Sequence, residues 1–151
     1  GARSGAILEL RWDQVSFERG VIDMGEGHGN KRRAVVPMTP DLRRELGKAQ
    51  EIACTDYVVE LHGKPLTTLK NGFEAACGRA KLKGVTPHIL RHTCATWQVE
   101  EGVPYSKIGE MLGMSAQMVE DRYGHHSPSF LAENVAALQL TGRKKKRALQ
   151  K

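Results

Sequence analysis

Eight consecutive residues, Thr86-Pro87-His88-Ile89-Leu90-Arg91-His92-Thr93, bring two imidazoles and a guanidinium close together. Thr86 can cap a helix, and Pro87 suits the first helical position, where an N–H would have no partner anyway. The helix can run to about Gly102, a good C-terminal stop. At about 100° per residue, His88, Arg91, His92 and Ala95 fall on one narrow arc. Leu90, Cys94 and Trp97 fall on the other side and read as the buried stripe. The pattern predicts a rigid helix that holds basic side chains outward, able to grip an anion and move protons beside it. Three readings compete: a surface turn with incidental charge, a metal site, and a site for a phosphodiester. His88 and His92 have the i, i+4 spacing of a metal pair, but Ile89 stands where zinc proteases carry a glutamate. The rest of the chain favours the third reading.

A second chemical group lies further on. Ser115 can cap a helix over about 116–123 that ends on Tyr123, followed by Gly124-His125-His126. Upstream, Gly25-Glu26-Gly27-His28-Gly29-Asn30 reads as the tip of a hairpin, with Lys31, Arg32 and Arg33 on its shoulder. It lacks the Gly-Lys-Ser/Thr of a phosphate loop. Its basic residues could reach a phosphate backbone or simply be solvated.

The elements that must position these groups are mostly helical. The opening residues, through Asp13, read as a helix with Ile7, Leu8 and Leu10 on its apolar side. Strands are expected at Val21–Asp23, Arg33–Val36 and Tyr57–Leu61. Helices are expected from Thr39 to about Ala53, Thr68 to Lys81 (Leu69, Phe73 and Cys77 inward), Val103 to Leu112 and Ser129 to Leu140. The fold class is therefore mainly α with a small antiparallel three-stranded sheet.

At 151 residues the chain is long enough for one domain with a core. No run of about 18 apolar residues suggests a membrane span, and no secretory leader is legible. Three scattered cysteines (Cys54, Cys77, Cys94) fit reduced thiols in a cytosolic protein. The net charge of +6 is matched by the six basic residues among 142–151, so residues 1–141 balance. That tail can bind nucleic acid or be a disordered end.

Taken together these residues resemble the catalytic domain of the tyrosine recombinase, or phage integrase, family. Gly1-Ala2-Arg3 with Leu10-Arg11-Trp12-Asp13 is similar to its first box, His88-x-x-Arg91-His92 to its second, and Leu112-Gly113-Met114, with Tyr123 nine residues on, to its third. The resemblance spans residues 1–140, leaving 141–151 as a basic tail. It implies that the family's first helices and separate N-terminal DNA-binding domain lie outside this sequence. It also implies a site-specific recombinase that cuts and rejoins double-stranded DNA through a 3′-phosphotyrosine link. Arg3 and Arg91 would bracket the phosphate, Tyr123 would attack, His88 would accept its proton, and Lys31 would protonate the leaving 5′-oxygen. His28 lies nearer the family's usual distance for that acid, but Lys31 is the hairpin's one lysine. Arg32, Arg33 and His92 would contact DNA. A phenol with a pKa of about 10 needs such an acceptor, and two fixed guanidinium charges dispense with metal and cofactor.

The family implies a homotetramer on DNA in the cytoplasm of a bacterial host. Phe130, Leu131, Val135 and Leu138 would form its C-terminal contact, or else pack within the chain. Two departures stand out: Ala6 where the family has glutamate, and Met114 where it has a histidine or tryptophan donor. Met114 keeps the packing and loses the bond, with His125 or His126 as auxiliary donors. A DNA-binding relic that cuts poorly is the alternative, and a type IB topoisomerase shares the chemistry.

Overall fold

The computed structural model describes residues 1–25, 34–132, 135, 136 and 138. Its first helix is shorter than the opening pattern suggests: α1 covers Ser4–Leu8 alone. Beyond it the chain extends and is pinned by residues 56–58. The Trp12 N–H donates to the Asp56 carbonyl at 2.9 Å, and the Val58 N–H to Leu10 at 2.9 Å. Arg11 reaches Asp56 at 3.0 Å and lies 5.4 Å over the Tyr57 ring. Leu10, Arg11 and Trp12 thus clasp the distant segment 56–58.

The antiparallel sheet has three strands, β1 (Val15–Ser16), β2 (Val21–Asp23) and β3 (Val35–Pro37), in that order. Val15 faces Ile22, and Ile22 faces Val36. The third strand is therefore Val15–Ser16 and not Tyr57–Leu61. Tyr57 makes only an isolated bridge to Arg11, which leaves it outside the sheet. Its downstream neighbours instead form a tight hairpin, β4 (Glu60–Leu61) with β5 (Lys64–Pro65). Asp23 pairs with Val35, so β2 ends beside the start of β3. His28, Lys31, Arg32 and Arg33 themselves lie outside the described residues. Ala6, Leu10, Val15, Ile22 and Met24 form the apolar cluster of this half.

The helices begin where their caps are. Thr39 accepts from the Leu42 N–H ahead of α2 (Pro40–Glu51), and Lys70–Arg79 forms α3, with Phe73 and Cys77 half-buried. Thr86 accepts from Ile89 ahead of α4 (Pro87–Glu100), and Ser115 from Met118 ahead of α6 (Ala116–Tyr123). Between them α5 (Tyr105–Leu112) ends on Gly113 at φ +63°, a left-handed stop that favours glycine. A Cβ on Gly109 would stand 2.6 Å from the Met114 carbonyl oxygen. Glycine there lets the link from α5 to α6 fold directly across α5.

These three helices enclose Ala95, Val99, Ile108, Leu112, Val119 and Tyr123. Burying a side chain the size of Ile108, fully enclosed here, contributes about 1.5–3 kcal/mol. The orientation of α4 is the opposite of the expected one. Its buried residues are Arg91, Ala95 and Val99, while Leu90 and Trp97 are 50% and 65% exposed. The small Ala95 admits the neighbouring helices closely, and the Arg91 guanidinium is accepted inside because backbone carbonyls await it.

Among the described residues no helix is long and apolar enough to cross a membrane. Of the expected last helix, Ala132, Val135, Ala136 and Leu138 are helical, and Phe130, Leu131, Val135 and Leu138 are exposed.

Candidate active site

Arg91 projects from the second turn of α4 into the seam between the two halves. One of its terminal nitrogens donates to the Gly1 carbonyl at 2.8 Å, the other to the Leu112 carbonyl. Arg3, just ahead of α1, donates to the next carbonyl along, that of Gly113, at 3.1 Å. Two guanidiniums 88 positions apart therefore meet over two successive carbonyls at the end of α5. Gly1 completes the seam, since a Cβ there would stand 2.5 Å from Leu112 Cδ2 and 2.9 Å from Cys94 Sγ.

The electrostatics follow from this convergence. Burial holds the Arg91 pKa below the ordinary arginine value, and the Arg3 charge lowers it further. Tyr123 and Cys94 oppose that shift weakly, and no carboxylate is among its causes. Two like charges held together favour an anion between them. Arg3, His88 and Arg91 line one cleft of about 830 Å³, whose apolar wall includes Met24, Val36 and Leu112. Arg91 has five N–H donors, of which the backbone takes two in the bonds described.

Tyr123 ends α6 with its side chain 5% exposed. Its hydroxyl lies 2.7 Å from Nδ1 of His92. The His92 ring in turn meets His88 edge to face, with centroids 4.5 Å apart. His92 was expected to touch DNA; in the structure it contacts the phenol, and His88 stands next to it. Desolvation, then the charges of His88, Arg122 and Arg91, keep the His92 pKa below 6.5. The spacing showed His92 and Arg91 on one arc, but nothing in it linked His92 to a residue 31 positions away.

Met114 is half-buried and packs against the cluster that holds Tyr123. His125 and His126 are exposed in a single 3₁₀ turn just after Tyr123, their rings against each other at 4.0 Å. Ala6, in the place of the family's glutamate, is a buried member of the N-terminal cluster. Lys31, Arg32 and Arg33 lie outside the described residues, so the hairpin's contribution is not part of this geometry.

Comparison with known proteins points the same way. Residues 1–129 match the model of the phage integrase family. The integrase of Salmonella phage P22 is 27% identical over 151 aligned residues, covering 89% of this chain and 38% of that protein. A crystal structure of XerA recombinase superposes with a TM-score of 0.68 at 24% identity, covering 90% of this chain and 51% of that one. The catalytic domain of bacteriophage HP1 integrase gives 0.56 at 25% identity, over 84% and 68%. The chain spans less than half the length of the P22 integrase it resembles.

Proposed function

This chain belongs to the phage integrase family, and from that premise we propose that it is the catalytic domain of a site-specific DNA recombinase. It cuts and rejoins double-stranded DNA through a 3′-phosphotyrosine link. The observation that carries this reading is the meeting of Arg3 and Arg91 on the adjacent Gly113 and Leu112 carbonyls, one short helix before Tyr123. A phosphodiester is anionic and resists attack by a second anion. Paired guanidiniums offset both charges as the pentacoordinate transition state forms. Covalent capture by Tyr123 splits one displacement into two and keeps the bond energy for resealing. His88 lines the same cleft as the two arginines, from which it would contact the phosphate and share in the proton traffic around it.

Lys31 is the proposed acid for the 5′-oxygen, with Arg32 and Arg33 on the DNA backbone. Met114 supplies packing where the family has a donor, and His125 and His126 are the auxiliary donors. The working assembly is a homotetramer on DNA in the cytoplasm, with Phe130, Leu131, Val135 and Leu138 at the contact between copies.

A DNA duplex nicked near the cleavage point tests the proposal. Cleavage releases a short fragment that cannot return, so the covalent adduct accumulates on a denaturing gel. Wild-type chain is expected to form it and Tyr123→Phe to form none. Binding without an adduct from either would instead favour the DNA-binding relic.

A further inference from the structure

The residue in hydrogen-bond contact with the nucleophile is His92, one turn along α4 from His88. We propose that His92 is the catalytic base for Tyr123: its Nδ1, 2.7 Å from the phenol oxygen, takes the proton as that oxygen attacks phosphorus. The inference rests on the recombinase reading and reassigns a role that the family resemblance gives to His88.

Three features of the surroundings support it. First, a base must lie within about 2.6–3.2 Å of the proton it removes, and Nδ1 meets that condition. Second, the ring is half-buried between the edge of His88 and the tilted face of Tyr123, whose centroid is 5.7 Å away. Its orientation is therefore set before any DNA arrives. Third, the groups that bear on it are His88 and Arg91 of α4 and Arg122 of α6, all basic, and with burial they disfavour its charged form. A neutral imidazole can receive a proton; an imidazolium cannot. Acceptance at Nδ1 requires the resting proton on Nε2.

The step balances as follows. The Tyr123 oxygen–phosphorus bond forms as the bond from phosphorus to the 5′-oxygen breaks. The phenol proton ends on His92, which becomes an imidazolium. The electron pair of the broken bond leaves with the 5′-oxygen, which is protonated by the hairpin acid or by water. Rejoining runs the sequence backward, with His92 returning its proton to the phenol oxygen. His88, exposed and lining the cleft with both arginines, is left to contact the phosphate.

The nicked duplex tests this with His92→Ala and His92→Asn. Asparagine can still accept a hydrogen bond from the phenol but has no basic nitrogen. Both variants should form adduct about 10²–10⁴-fold more slowly than wild type, the usual share of a general base. A duplex whose 5′-bridging oxygen is replaced by sulfur needs no acid at the leaving group, and the defect should persist on it. Wild-type rates in His92→Asn, or full rescue by the sulfur substrate, would overturn the assignment. Adduct from neither wild type nor variant sinks the recombinase reading, and the base assignment that rests on it. If the variants do not fold, nitrogen NMR of His92 in the wild-type chain near neutral pH decides the assignment. A proton on Nε2 supports it, and a proton on Nδ1 overturns it.

Discussion

The two apolar clusters close to different degrees. Around α4, α5 and α6, Ala95, Ile108 and Val119 have no exposed surface. In the N-terminal cluster every member keeps 6–8%. The closed half carries Arg91, His92 and Tyr123; the looser half carries Arg3 and the strands β2 and β3. What joins them at the site is a few bonds from guanidinium to carbonyl. Tyr123 and its immediate partners thus sit in preformed packing, while Arg3 is brought in across a seam. Electrostatic stabilisation works best when donors are fixed beforehand, so the proposed reaction would place its more demanding chemistry in the closed half.

The seam is the place to break this contrast hardest. Arg91→Ala should lower adduct formation by at least about 10³-fold, since an oxyanion donor alone accounts for about 10²–10³. It should also destabilise the fold by about 3 kcal/mol, because the Gly1 and Leu112 carbonyls lose charged donors. A gel assay and a denaturant titration read the two effects separately; normal cleavage by this variant would end the account of the site.

Next, Ile108→Ala in the closed half should fall near the top of the 2–5 kcal/mol range for large-to-small core changes, and Ile22→Ala near the bottom. Equal values would remove the distinction between halves. A smaller effect concerns acidity. Because the folded pKa of His92 lies below 6.5, the unfolded chain binds the proton more readily. Its contribution to stability is intact above pH 6.5 and declines as pH falls from there through the lowered folded value. His92→Asn should flatten that part of a stability–pH curve, and an NMR titration of His92 should have its midpoint below 6.5. Smallest of all, Trp97→Ser should shift stability by no more than about 0.5 kcal/mol, since the ring is 65% exposed. A thermal melt checks it.

The sequence made some of this legible and hid the rest for physical reasons. Thr39, Thr86 and Ser115 were readable as caps because capping is local: the side chain bonds an N–H three residues on. Gly113 was readable as a stop for the same reason. The inner face of α4 was misread because hydrophobicity placed Leu90 and Trp97 inside and Arg91 outside. An arginine enters a core when carbonyls from other elements await it, and Gly1 and Leu112 are distant in sequence. Val15–Ser16 is too short a strand to show alternation, whereas Tyr57-Val58-Val59-Glu60-Leu61 has strand composition yet spends its bonds on the Arg11 clasp and a separate hairpin. The three boxes made the arginines and Tyr123 identifiable as a group. The contact from His92 to Tyr123 exists only once α4 and α6 have packed.

The left-handed turn at Gly113 has a mechanical consequence. Arg91 holds the carbonyl before that turn, Arg3 holds the carbonyl of the turn itself, and α6 starts three residues later. Any shift of these two successive carbonyls therefore carries both cations and Tyr123 with it, like a yoke. Gly113→Ala, strained at φ +63°, should perturb the resonances of Arg3, Arg91 and Tyr123 in concert. Independent responses would show that no such linkage exists.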